Sequence, residues 1–200
     1  MEKKFELTEE FKINVFGIKV FRIKAKIKFK HAEAGELGGW VESAANLSGD
    51  AWVSGDAHVY GNAHVYGNAQ VSGDAQVSGN ARVYGNARVY GNARVYGDAQ
   101  VYGDARVYGN AHVYGNAQVS GDADVKSDSD WCSFNGFGSE NRTTSAYRTR
   151  SKGKDSIKVS CGCFLGNLID FKAQVKSTHG DSMFAKQYNS IIRLIKLKLS

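Results

Sequence analysis

The chain has 200 residues, 23 Gly, no Pro and a formal net charge of +6, a size that suits one compact domain or a solenoid with end modules. No apolar run approaches a membrane span, the opening MEKKFELTEE lacks the apolar core of a signal peptide, and three Cys do not make a disulfide framework. The expectation is a cytoplasmic protein in a reducing compartment, with no membrane contact, mildly acidic in its middle (−4 over residues 41–125) and basic at its ends (+3 over 1–40 and +7 over 126–200).

Residues 5–30 read as β structure. Phe21, Ile23, Ala25, Ile27 and Phe29 alternate with Arg22, Lys24, Lys26, Lys28 and Lys30. Period two argues against a helix, which would spread those cations all round. FKINVFGIKVF, around Gly17, predicts a hairpin feeding that strand. Residues 1–40 are thus expected to form a β hairpin and strand cap. Its apolar face covers the first coil of the adjoining repeat and its Lys stripe stays wet, because an open strand edge polymerises.

From Trp40 to Lys126 one phrase recurs: Gly-Asn/Asp-Ala-x-Val-Tyr/Ser. The aliphatic position falls at Val41, Leu47 and Val53, then every six residues to Val125, which makes fifteen hexads without insertion. A small residue stands two places before each. Ala-x-Val-Tyr alternates in and out like a short strand. Gly-Asn or Gly-Asp turns the corner, since Gly takes positive φ without steric cost and Asn or Asp tolerates the left-handed region. Three hexads close a triangular coil. Five coils, at about 4.8 Å each, make a prism roughly 24 Å long. No coil buries its own apolar face, so stability must come from stacking.

The aliphatic-every-six series, with the small residue two before it, resembles the hexapeptide-repeat, left-handed parallel β-helix family. The resemblance covers about two fifths of the chain, residues 41–126, and implies the left hand of the coil. The lead-in Gly35-Glu36-Leu37-Gly38-Gly39-Trp40-Val41-Glu42, with Asn46-Leu47-Ser48, is similar to the start of an uncharacterised group of phage- and prophage-borne hexapeptide-repeat proteins. Those are named polymer-forming or transferase-like by fold alone. The similarity implies a phage-associated protein in the cytoplasm of a bacterial host and brings no activity with it. Fold does not settle function, which lives in sites placed on folds.

The outward positions sort by face. Beside Leu47, the x residues run Asn46, His64, Arg82, Gln100 and Gln118, and the next column runs Ser48, Tyr66, Tyr84, Tyr102 and Ser120. Tyr66, Tyr84 and Tyr102 should therefore stack beside His64 and Arg82. The Val53 face places Tyr90 and Tyr108 beside Arg88 and Arg106, below Trp52 and Gln70. The Val41 face carries Trp40, His58, Gln76, Arg94 and His112 as its x column. An aromatic ladder flanked by Arg can stack on planar rings or hold phosphates. The same ladder can also simply shield backbone bonds, or pack against a second copy in a homo-oligomer, dimer or trimer.

The repeat stops at KSDSD. Trp131–Phe134 and Thr143–Thr149 predict strands around Gly136 and Gly138, and Ser156–Phe164 predicts one more. Asn167 offers an N-cap for a helix carrying Leu168, Phe171, Ala173 and Val175 and ending at His179-Gly180. Asp181 offers a cap for a second helix with Phe184, Tyr188, Ile191 and Ile195 on its core face. Residues 127–200 are thus expected to be a small α+β cap or binding module, with Gly138–Thr144 as a polar loop or hairpin tip. The whole chain is an all-β solenoid with a β cap at one end and this module at the other.

Acyl transfer is the activity the resemblance most often implies, through a catalytic His near a loop projecting between coils. Fifteen unbroken hexads leave no such loop, and His58, His64 and His112 fill x positions otherwise held by Gln or Arg. No catalytic residue is assigned. A zinc hydratase needs three converging His, yet His58 and His112 lie three coils apart, about 14 Å, and His64 is on another face. Ice binding on this fold needs Thr arrays, and the prism has no Thr. Cys161 and Cys163 are expected on one face of a strand. With Cys132 and His179 they are the candidates for a metal site; Cys163 and His179 alone would suit a nucleophile pair. Buried structural cysteine is the plainer meaning.

These features together describe a non-catalytic structural and binding protein that needs no cofactor. Its partner is a host or phage protein, or an anionic small molecule. The alternatives are a CoA-dependent acyltransferase and sequestration of a nucleotide or nucleic acid, with nucleic acid the less favoured partner.

Overall fold

The computed structural model describes residues 3–199. Strands β1 (Phe5–Ile13) and β2 (Lys19–Ala25) form the expected antiparallel hairpin, with Gly17 in its turn at φ 77°. β3 (Leu37–Val41) pairs antiparallel with β2 and parallel with the repeat. Thirteen two-residue strands follow at six-residue intervals, from β4 (Trp52–Val53) to β16 (Asp124–Val125). They stack as three parallel sheets. Successive coils pair with residues eighteen apart in register, as Val89 pairs with Val71 and Val107. The molecule is a β-solenoid of about five coils.

Its interior is built as the alternation demands. Every Val from Val53 to Val125 and every Ala from Ala69 to Ala123 on the inward positions is fully buried, and each buried Val contributes about 1.5–3 kcal/mol. The coils are tied by a parallel ladder. Arg88, Tyr90 and Asn92 donate backbone N–H to the carbonyls of Ala105, Val107 and Gly109 at 2.9–3.0 Å, and the pattern recurs coil by coil. Corner glycines hold φ between 61° and 72° from Gly49 to Gly121. A Cβ on Gly91 would sit 3.1 Å from Gly109 N, so both conformation and space require glycine there. Corner amides stack along the edges, Asn62 on Asn80 and Asn80 on Asp98.

The N-terminal end departs from the expected continuous strand. β2 stops at Ala25, the chain bends through 26–28, and Phe29 bridges back to Ala32. Ile27, expected inside, is consequently exposed. The bend carries Phe29 across the open triangle, where it meets Trp52 edge-on at 5.5 Å. Trp40 and Trp52, on outward positions, are therefore buried beneath this segment and the hairpin. Gly38 and Gly39 have no room for a Cβ, which would lie 2.5 Å from Ile23 Cγ1 and 2.7 Å from Val53 Cγ1 respectively.

The first rung on the Leu47 face is not a strand. Ala44–Asn46 form a 3₁₀ turn capped by Ser43, and Leu47 makes only an isolated bridge to Val65. The buried Asn46 side chain supplies the missing ladder donors, giving Nδ2–H bonds to the carbonyls of Gly61 (3.0 Å) and Ala63 (2.8 Å).

At the far end a four-stranded antiparallel sheet of β17 (Trp131–Phe137), β18 (Arg142–Arg148), β19 (Ile157–Cys161) and β20 (Phe164–Asn167) closes the prism. Trp131 and Tyr147, cross-strand partners, belong to the solenoid core. The Tyr147 hydroxyl meets Ser120 Oγ at 2.9 Å. The last coil's N–H groups find side-chain acceptors here: His112 N–H bonds Asp128 Oδ1 (2.6 Å) and Gln118 N–H bonds Ser145 Oγ (3.0 Å).

Helices α1 (Leu168–His179) and α2 (Met183–Leu199) pack on this sheet. Asn167 caps α1 as expected, accepting from Ile169 and Asp170. The α2 cap is Ser182, which accepts from Ala185, because Asp181 instead pairs with Lys176 in solvent. Ala173 and Phe184 face water; Ala185, Ile192 and Leu199 share the α2 core face instead. Ser156–Phe164 is two strands with a turn at Gly162-Cys163, not one.

Asn46→Ala leaves two inward carbonyls without donors and should cost about 1–3 kcal/mol in urea unfolding. Asn62→Ala, on an exposed edge, should cost less than about 0.5 kcal/mol; equal losses would show that the Asn46 amide does not complete the ladder. Tyr147→Ala should cost about 3–5 kcal/mol and, by uncovering the last coil, produce concentration-dependent association in light scattering. Retained stability and a concentration-independent mass would show that the sheet does not close that end.

Candidate functional site

The ladders expected on two faces are formed. Tyr66, Tyr84 and Tyr102 stack with centroids 4.8 and 4.9 Å apart and planes within 5° of parallel, and His64 lies on Tyr66 at 4.8 Å. Arg82, in register between His64 and Gln100, is exposed beside them. Tyr90 and Tyr108 stack at 4.9 Å, next to the paired Arg88 and Arg106. The geometry follows from the fold: in-register coils about 4.8 Å apart put equivalent side chains at ring-stacking distance. Tyr84 donates to Gln100 Oε1 at 3.4 Å, and Tyr108 donates to Asp124 Oδ2 at the same distance. Burial in the stack, aided by the neighbouring Tyr102 and Tyr66, raises the pKa of Tyr84. Arg88 and Arg106 also line a hollow of about 260 Å³ with Arg150, whose guanidinium donates to the Asp104 carbonyl at 3.0 Å.

A third aromatic face was missed in the sequence. Tyr96 and Tyr114 stack at 5.4 Å on the Val41 face, and Tyr60 stands two coils before Tyr96. Tyr114 meets Trp131 edge-on at 5.3 Å. The six-residue bookkeeping applied to this column would have found the tyrosines. It would not have found Phe16, brought from the hairpin tip to 6.1 Å from Tyr60. A hollow of about 410 Å³ opens here.

The histidines have separate surroundings. His58 is half-buried with Nε2 lacking a partner among the described residues. His64 Nε2 meets Ser48 Oγ at 3.0 Å, and His112 Nδ1 pairs with Asp128 at 3.1 Å. His31, unremarked in the sequence, reaches Gln70 Nε2 at 2.7 Å and the Asn68 carbonyl at 3.2 Å. The pKa values of His31, His58 and His64 are lowered, first by burial and then by Lys30, Lys12 and Arg82 respectively.

The cysteine set does not converge. The turn at Gly162-Cys163 sends Cys163 into solvent while Cys161 stays buried, so the two thiols do not share a strand face. Cys161, Cys163 and His179 border one hollow of about 500 Å³, and Cys132 lies at another with Leu194 and Leu197. Among the described residues no group of three or more His, Cys, Asp or Glu is placed to hold a metal. Burial pushes the Cys132 thiol up to about 11, and the Cys161 Sγ contacts the Tyr188 hydroxyl at 3.8 Å. The expected polar loop is shorter than Gly138–Thr144, because residues 142–144 pair within β18; Arg142, at the start of that strand, packs over Gly162, where a Cβ would collide with its guanidinium.

The chain is a repeat β-solenoid, closed at one end by an antiparallel hairpin and at the other by a two-helix module. The family model described as the YdcK beta solenoid repeat matches residues 75–88, 87–103 and 99–115, about a fifth of the chain within the solenoid. No curated protein matches the chain. Among the described residues no helix is long and apolar enough to cross a membrane.

A histidine with a lowered pKa binds fewer protons folded than unfolded, so its stabilising effect is full above its ordinary 6.5 and is lost as pH falls through the lowered value. Asp56 and Asp122, also lowered, act only below their ordinary 3.8. The melting temperature should therefore fall between about pH 7 and pH 5. His58→Gln, the residue the next coil carries at Gln76, should flatten that fall. An unchanged slope would show that His58 is not a source of it.

Proposed function

We propose that the protein is a non-catalytic, phage-associated scaffold working in the cytoplasm of a bacterial host. The solenoid is a rigid rod that presents Tyr/Arg/His faces and the C-terminal module to a partner: a host or phage protein, a second copy of the chain, or an anionic small molecule. The observation that carries this reading is the ladder itself. Each coil pairs with the next in register from β3 to β16, with no insertion in the repeat beside any of His58, His64 or His112. Each of those imidazoles is engaged locally or enclosed: His58 by burial, His64 by Ser48 and Tyr66, His112 by Asp128. None stands beside a loop inserted between coils; the loop that nears one of them is the N-terminal hairpin tip, which shares a hollow of about 230 Å³ with His58. The phage association rests on the lead-in at residues 35–48, and the cytoplasmic location on three free thiols.

Purified protein is expected to transfer no acyl group from acetyl-CoA or succinyl-CoA to an amine panel, and its melting temperature should not move with CoA. Acyl transfer that disappears on His64→Gln or His112→Gln would overturn the scaffold reading in favour of an acyltransferase.

A further inference from the structure

The geometry points to a binding slot for a planar aromatic anion, of the size of a nucleoside monophosphate, between Tyr60 and Tyr96 on the Val41 face. It deepens the display reading by naming one site and its ligand class. On the other two faces the tyrosines occupy consecutive coils and close on one another at 4.8–4.9 Å. Here the series runs Tyr60, Ser78, Tyr96, Tyr114. A rung is missing from the middle of the ladder.

The gap has the right dimensions for one ring. Two coil spacings separate the Tyr60 and Tyr96 positions, about 9.6 Å. A ring inserted midway would lie about 4.8 Å from each side, the spacing at which this protein's own tyrosines stack. Tyr96, 39% exposed, presents its ring on one side. On the other side Tyr60 is largely covered, its hydroxyl bonded to Gln76 Oε1 at 3.5 Å, and the exposed Phe16 leaning on it from the hairpin tip supplies the aromatic wall. Tyr96 is backed by Tyr114. Phe16 is 65% exposed and Tyr114 47% exposed, so aromatic surface stands open to solvent round the hollow.

The polar groups select the rest of the ligand. Ser78 replaces the absent ring on the floor, and Gln76 beside it can bond a base edge. Arg94 lies along the same wall. Among the described residues it has no carboxylate within ion-pair range. Asp128, the carboxylate bordering the hollow, is engaged by His112. An uncommitted guanidinium beside an aromatic slot favours a ligand with a phosphate or similar anion attached to its ring system.

Calorimetric titration of the full chain with AMP, GMP, CMP and UMP tests the site, with the four nucleosides and ribose 5-phosphate as controls. At least one nucleotide should bind with a Kd below about 1 mM, more tightly than its nucleoside, while ribose 5-phosphate gives no heat. Ser78→Tyr completes the ladder, should keep the fold because the flanking coils carry Tyr there, and should abolish binding. Arg94→Gln, the residue found one coil earlier, should weaken the nucleotide about tenfold and leave the nucleoside unchanged. Absence of binding by all four nucleotides, equal binding by folded S78Y, or equal nucleotide affinity in R94Q would overturn the proposal. None of those results touches the scaffold reading, which falls only if acyl transfer is found.

Discussion

The structure depends on an in-register hydrogen-bond ladder between stacked coils. Parallel pairing, as of Trp40 with His58 and Val41 with Val59, exchanges N–H and carbonyl groups between each coil and the next. Interior coils are therefore supplied from both neighbours, while backbone groups of the first and last coils need partners from elsewhere. Unpaired backbone groups at either end would be costly and would template further strands. Much of the chain outside the repeat answers that need. Asn46 brings an amide nitrogen to two carbonyls near the start, and Asp128 and Ser145 bring oxygens to two N–H groups near the finish.

The same register that builds the ladder writes the surface. Because coils stack without slip, any residue type repeated at eighteen becomes a column. Tyrosine columns become stacked rings, Asn columns become amide chains, and Arg88 lies against Arg106 despite their like charge. The repulsion is tolerated because both guanidiniums are exposed, where screening is strong. A solenoid of this kind can thus change its surface chemistry one rung at a time, by substitutions that leave the Val and Ala interior alone. The missing ring at Ser78 is such a change, and its effect is a hollow in place of a closed stack.

The caps do more than close the ends. The hairpin of β1 and β2 extends one face of the prism into a seven-stranded sheet and hangs Phe16 over that face. The C-terminal sheet inserts Trp131 and Tyr147 into the solenoid core while its other side holds α1 and α2. One continuous apolar interior therefore joins the repeat to the inserted ring pair. The two-helix module keeps its own core, built round Tyr188, Ile191 and Ile195.

The sequence alone determined the repeat, its inward Val and Ala, the glycine corners and the two tyrosine ladders. Those are periodic features, and in a stacked coil periodicity is itself a spatial address. The N-terminal hairpin and the Asn167 cap were legible for the same local reason, a turn glycine or a capping side chain at a fixed offset. What lay beyond reach was set by contacts between segments remote in the chain. Trp40 and Trp52 stand on outward positions and are buried only because residues 26–34 and the hairpin cross over them. The turn at Gly162-Cys163 parts two cysteines that alternation would have placed on one face, since pairing with β18 decides where that strand ends. Phe16 and His31 gain their neighbours on the prism from the way the cap docks. Tertiary packing chose these placements because burying an aromatic ring or satisfying a buried polar atom outweighs the local preference of a few residues.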